Sequence, residues 1–122
     1  MAKKNILVVE DNHAILDVIT LILESEAFNV EGLNMGVNFI NHVDEFKPDV
    51  IVMDIMLPDI DGRILLKELK EREDTKHIPV LMISARYNEN NYTLDNLSAD
   101  DFMAKPFNID ELMDKVYALL KK

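Results

Sequence analysis

The chain has 122 residues and a mass of 14.0 kDa, the size of one compact domain with no room for a second core. With 48% hydrophobic and 30% charged residues, three Gly and four Pro, the composition is globular and excludes disorder as the main state. A net charge of −10, from 13 Lys+Arg against 23 Asp+Glu, excludes direct binding to nucleic acid or anionic membranes, and zero cysteines exclude a disulfide framework, a thiolate zinc site and a cysteine nucleophile. The amino end runs from Lys3-Lys4 straight into a short apolar stretch, too brief for a signal peptide or a membrane span, so a cytoplasmic chain is expected.

In chain order, Ile6 to Val9 is a continuous apolar run, as parallel strands covered on both faces require. Ile15, Ile19, Ile22 and Leu23 follow at helical spacing behind Asp11 and Asn12, either of which can cap that first helix. Phe28 to Leu33 is a strand of mixed polarity, suited to an edge, and Val37 to Glu45 predicts a short second helix. Val50 to Met53 is a second buried strand, and Ile64 to Arg72 sets Leu65, Leu66 and Leu69 on one helical face. Arg72 to His77 reads as a solvated loop, and Val80 to Ile83 as a third central strand. Tyr87 to Ser98 predicts a short fourth helix, because Asn88, Asn90, Asn91 and Asn96 compete for their own backbone. Asp101 to Ala104 is an edge strand, and Asn108 with Glu111 three residues on opens a last helix striped by Leu112, Met113, Val116, Leu119 and Leu120. This βα alternation predicts a three-layer α/β sandwich, one domain over 1–122, whose parallel five-stranded sheet has the order 2-1-3-4-5.

In that order ligands bind at the carboxyl ends of the strands, where the winding direction switches. Glu10-Asp11 ends the first strand, Asp54 the third, Ser84 the fourth and Lys105-Pro106 the fifth. Singly, each has a plain structural reading: a solvated helix start, a turn former, a cap, a surface lysine. Together they crowd three carboxylates, and each close pair costs roughly 4 kcal/mol at an effective dielectric near 20. A hard divalent cation relieves this, and Mg²⁺ uses one or two carboxylates plus phosphate oxygens. Asp54 is able to attack phosphorus and form an acyl phosphate, with the Lys105 ammonium and Ser84 hydroxyl on the phosphoryl oxygens. Glu10 and Asp11 at −2, phospho-Asp54 at about −2, Mg²⁺ at +2 and Lys105 at +1 sum to roughly −1, so the site needs the metal to hold phosphate. His13, His42 and His77 have no ligand spacing and read as surface residues.

Leu7-Val8-Val9-Glu10-Asp11, Val52-Met53-Asp54-Ile55-Met56-Leu57-Pro58-Asp59-Ile60-Asp61-Gly62, Val80-Leu81-Met82-Ile83-Ser84-Ala85 and Ala99-Asp100-Asp101-Phe102-Met103-Ala104-Lys105-Pro106-Phe107 together resemble the response-regulator receiver domain of two-component signalling. The resemblance implies a flavodoxin-like fold and a phosphorylation switch rather than an enzyme, although the domain takes part in its own phosphotransfer and autodephosphorylation. It implies that Asp54 accepts phosphoryl from a sensor histidine kinase or histidine phosphotransfer protein, and that Asp11, Asp54 and the Met56 carbonyl bind Mg²⁺ with Glu10 helping through water. Lys105 would contact the phosphate, Ser84 and Phe102 would form the switch, and the Lys105-Pro106 bond would be cis. The face of the fourth helix, fifth strand and last helix would then engage a downstream protein target, or a second copy in a phosphorylation-dependent dimer. Ser98 stands where the family usually has glycine, and Phe102 replaces the commoner tyrosine, so burial alone must hold the inward ring.

Rival readings fit the residues less well. An aspartyl-phosphate phosphatase of the haloacid-dehalogenase type needs an acid where Met56 stands, and a flavin binder needs a Ser/Thr/Gly-rich phosphate loop where Glu10-Asp11 would repel phosphate. The remaining alternative is a receiver-like constitutive protein-interaction module with little phosphorylation.

Overall fold

The computed structural model describes residues 3–85 and 99–121. Five strands, β1 (Asn5–Val9), β2 (Asn29–Leu33), β3 (Val50–Asp54), β4 (Val80–Ser84) and β5 (Asp101–Ala104), alternate with four helices, α1 (His13–Ser25), α2 (Phe39–Phe46), α3 (Gly62–Glu71) and α4 (Ile109–Leu120). Here α4 is the last helix of the sequence reading. The fourth helix expected over 87–98 lies outside the described residues. All neighbouring strands pair in parallel in the order β2-β1-β3-β4-β5, as the apolar runs predict.

Alternation along each strand divides the core in two. Ile6, Val8, Val50, Val52, Leu81 and Ile83 pack with Ile19 and Leu23 of α1 and Leu112, Val116 and Leu119 of α4. Leu7, Val9, Ile51, Met53, Val80 and Met82 pack with Phe39 and Val43 of α2 and Leu65, Leu66 and Leu69 of α3. Each fully buried large aliphatic side chain contributes on the order of 1.5–3 kcal/mol, so these two layers fix the strand ends that carry the polar residues.

Helix starts follow the caps. Asn12, not Asp11, caps α1, its Oδ1 accepting from the Ile15 N–H at 3.1 Å. That leaves the Asp11 carboxylate out of the helix. Asn108 caps α4 by accepting from the Glu111 N–H at 2.7 Å, at the expected spacing. Two helices begin elsewhere than the periodicity suggests. Asp61 caps α3 through the Arg63 N–H at 2.8 Å, which brings Gly62 into the first turn. The second helix starts at Phe39 rather than Val37, because Asn38 is left-handed at φ 62° and the Val37 N–H is bonded elsewhere. The Arg72–His77 segment is solvated as expected, apart from Thr75, buried with its hydroxyl donating to the Leu69 carbonyl at 2.7 Å.

Candidate functional site

The carboxyl ends of β1, β3, β4 and β5 deliver Glu10, Asp54, Ser84 and Lys105 to one rim, as the sheet order requires. The Lys105 ammonium sits between two buried carboxylates, 2.8 Å from Asp54 Oδ2 and 2.7 Å from Glu10 Oε1. Asp11 is exposed at the mouth, and Glu10, Asp11 and Asp54 each offer a carboxylate oxygen within 4.8 Å of the others. Backbone groups orient the two buried acids. The Met56 N–H donates to Asp54 Oδ1 at 3.0 Å, and the Asn12 N–H to Glu10 Oε2 at 3.0 Å. The Met56 side chain is itself exposed, so the residue joins the site through its main chain.

Charge is unbalanced here. Burial pushes the Glu10 carboxyl up to about 7, with the Asp54 charge adding to the effect, against the opposing pull of Lys105 and the Asn12 N–H. Burial by itself would lower Lys105, but hydrogen bonds to Asp54 and Glu10 outweigh it and hold the ammonium above its ordinary value. Glu10 Oε1 is fully buried and meets the Lys105 ammonium at 2.7 Å. One cation thus serves two buried acids, with a third at the mouth.

Ser84, fully buried at the end of β4, accepts the Lys105 N–H on its carbonyl at 3.0 Å. Phe102 is 2% exposed and packs in the core layer of α2 and α3, so its ring lies inward. The Lys105-Pro106 bond is cis, as the resemblance implied. Beside Lys105, an apolar groove of about 460 Å³ runs between α1 and Pro106, lined by Ala14, Ile15, Val18, Ala85 and Phe107.

Three further residues shape the rim without having been given roles from the sequence. Gly62 closes the β3–α3 loop by donating its N–H to the Ile55 carbonyl at 2.7 Å, and any Cβ there would lie 2.4 Å from the Asp54 carbonyl oxygen. Asp61 pairs with the Arg63 guanidinium at 2.7 Å, which holds its carboxyl below the usual range. Asp59 reaches across to the β2–α2 loop, whose Gly36 N–H holds its carboxyl below the usual range as well. The glycine in the quoted motif was the available signal for the first; the partners of the other two are set by the fold.

A doubly wound parallel sheet with an acidic cluster and a lysine at its topological switch point places a ligand site at the carboxyl ends of the strands. The response regulator receiver domain family matches residues 6–117, and the chain belongs to it. It is 38% identical over 93% of its length to the transcriptional regulatory protein KdpE of Staphylococcus aureus, covering 48% of that protein. It is 35% identical over 96% of its length to the phosphate regulon transcriptional regulatory protein PhoB of Rhizobium meliloti, covering 52% of that one. The chain therefore spans about half the length of these relatives. Among solved structures, a response regulator from Chloroflexus aurantiacus superposes with a TM-score of 0.91 at 27% identity, covering 99% of this chain and 100% of that one. The receiver domain of sensor histidine kinase PA1611 from Pseudomonas aeruginosa, solved with a magnesium ion in its active-site cleft, gives 0.88 at 26% identity over 99% and 100%. The protein is thus a two-component signalling module of flavodoxin-like fold, and no helix among the described residues is long and apolar enough to cross a membrane.

Proposed function

We propose that the chain is a magnesium-dependent phosphorylation switch, one receiver unit over 1–122 acting in the cytoplasm, in which Asp54 accepts phosphoryl from a phosphohistidine. The observation that carries this reading is the contact set of Asp54: Oδ2 on the Lys105 ammonium at 2.8 Å and Oδ1 on the Met56 N–H at 3.0 Å. A carboxylate held at both oxygens is oriented for in-line attack. An Asp54 oxygen attacks phosphorus, the P–N bond breaks, and the imidazole nitrogen leaves with the electron pair. Lys105 then donates to a phosphoryl oxygen, and the Ser84 hydroxyl to another. Hydrolysis reverses the state: water attacks phosphorus, the P–O bond to Asp54 breaks, and inorganic phosphate leaves.

The residues suit a hard cation. Among the described residues all three acids offer oxygen, no thiolate or imidazole joins them, and the two buried carboxylates have a single ammonium between them. Asp11, Asp54 and the Met56 carbonyl would hold magnesium directly with Glu10 behind them. When bound, the ion supplies charge compensation for the phosphoryl oxygens during transfer. The groove between α1 and Pro106 supplies an apolar surface beside Lys105 on which a kinase or phosphotransfer protein can present its histidine.

Signalling requires a population shift. Moving a 1:99 equilibrium to 99:1 takes about 5.5 kcal/mol, whereas one hydrogen bond to a charged group supplies about 1.5–3 kcal/mol. Ser84 and Lys105 act together on the phosphoryl oxygens, changing the β5 and α4 face that meets a downstream protein and favouring the state in which Phe102 is inward. The test is binding of beryllofluoride, a phosphoryl mimic, followed by amide NMR. Magnesium-dependent shifts reaching Ser84 and Phe102, absent in Asp54→Asn, are expected. Shifts that ignore magnesium or survive that substitution would leave a constitutive interaction module instead.

A further inference from the structure

The loop from Ile55 to Asp61 carries the Met56 backbone that meets Asp54, and it is closed at its base by the Gly62 to Ile55 hydrogen bond and the Met56–Asp61 bridge. Its far end is tied to another part of the molecule. Asp59 Oδ1 accepts the Gly36 N–H and Oδ2 the Val37 N–H, both at 2.8 Å. Two adjacent N–H groups on two carboxylate oxygens fix direction as well as distance. The seat is close: Gly36 is buried, and a Cβ on it would fall 2.2 Å from Ile60 Cγ2 and 3.0 Å from Leu65 Cδ1. A side chain at position 36 would have to displace Ile60 for the two loops to approach this closely, and the carboxylate latches them once they do.

An exposed aspartate after proline is ordinarily a turn former, bonded within its own loop. Asp59 bonds its own loop at Asp59 and Ile60 and adds a fork to partners 23 and 22 residues away. It also bears on the β2–α2 loop where the chain is locally unusual, since Asn38 is left-handed and α2 begins only at Phe39.

We infer that Asp59 is a positioning residue for the acid site: its carboxylate straps the β3–α3 loop to the β2–α2 loop and thereby holds the Met56 main chain in register with Asp54. The inference rests on the reading of Asp54 and Met56 as parts of a magnesium and phosphoryl site. Ligand groups need placement within about 0.5 Å to be effective, and a loop of this length freed at its tip loses that precision. Asp59 touches neither metal nor phosphoryl group, so its effect passes through Met56.

The test titrates magnesium into the wild type, Asp59→Ala and Asp59→Asn, followed by amide NMR at about 0.05 M and 0.5 M salt, spanning the range over which exposed charges become screened. Asp59→Ala should weaken magnesium binding about threefold to tenfold, less than the 10–100-fold that loss of a direct partner of a ligand causes. The deficit should persist at high salt and be smaller in Asp59→Asn, which keeps one acceptor oxygen. Phosphorylation from acetyl phosphate should slow at subsaturating magnesium and recover at saturation. Equal affinity in Asp59→Ala, or a deficit that vanishes at high salt, would overturn the inference and reduce Asp59 to a surface charge. Wild type that binds no magnesium would instead overturn the functional reading, and the strap's role with it.

Discussion

At the amino ends of the strands, each described carboxylate is answered. Asp49 Oδ2 accepts the Asn5 N–H at 2.7 Å, and Asp100 Oδ2 accepts both the Val80 N–H at 2.8 Å and the Lys70 ammonium at 2.9 Å. Lys70 spends its remaining donors on the carbonyls of Ile78 and Lys76. At the carboxyl ends the same residue types are crowded: the buried Glu10 and Asp54 share Lys105, and Asp11 offers a further carboxylate oxygen within 4.8 Å of theirs. One rim uses carboxylates as closed clamps that join loops to strands. The other gathers three carboxylates around one ammonium, an arrangement that suits an added cation.

Removing a carboxylate from each rim should break this symmetry in opposite ways. Asp100→Ala leaves the Val80 N–H and the Lys70 ammonium without their partner and should destabilise the fold by about 2–3 kcal/mol. Thermal unfolding should show this, while the rate of phosphorylation from a small donor stays near that of wild type; unchanged stability would refute the clamp. Glu10 should behave differently with pH. Native Glu10 holds its proton up to about 7, whereas the unfolded group releases it near 4.5, so the folded state binds more protons across that window. Stability without magnesium should therefore fall as pH rises from about 4.5 to 7, by up to about 3 kcal/mol. Magnesium should restore it, and Glu10→Gln should flatten the slope; an equal slope in Glu10→Gln would place the deficit elsewhere. Smallest is the expected effect of Ser84→Ala. Asp54 phosphorylation should proceed, but the NMR shift around Phe102 should shrink by a fraction set by one hydrogen bond, and an undiminished response would remove Ser84 from the switch.

Much of this contrast was legible in the sequence. Continuous apolar runs marked β1, β3 and β4 because both faces of a central parallel strand are buried, and the polar residue following each run marked the rim. Asn108 announced its helix through side-chain chemistry that works over three residues, whereas Asp11 and Asn12 were equal candidates for α1 until the structure placed the cap on Asn12. Partnerships across the fold left no local trace. The Asp59 fork to Gly36 and Val37, and the Lys70–Asp100 clamp, join positions 22 to 30 residues apart, and only the sheet order makes them neighbours. Backbone strain was also hidden, since Ala27, Asn38 and Lys47 take positive φ without the glycine that would have advertised it. The late start of α2 follows from that.

The most direct measurement incubates the protein with acetyl phosphate, with and without magnesium, and locates the added phosphoryl group by peptide mass analysis. A single hydroxylamine-labile phosphoryl on Asp54, formed only with magnesium and lost in Asp54→Asn, is the predicted result. Phosphorylation that proceeds equally after chelation, or that persists on another residue in Asp54→Asn, would contradict the assignment of the rim as a metal-assisted acceptor site.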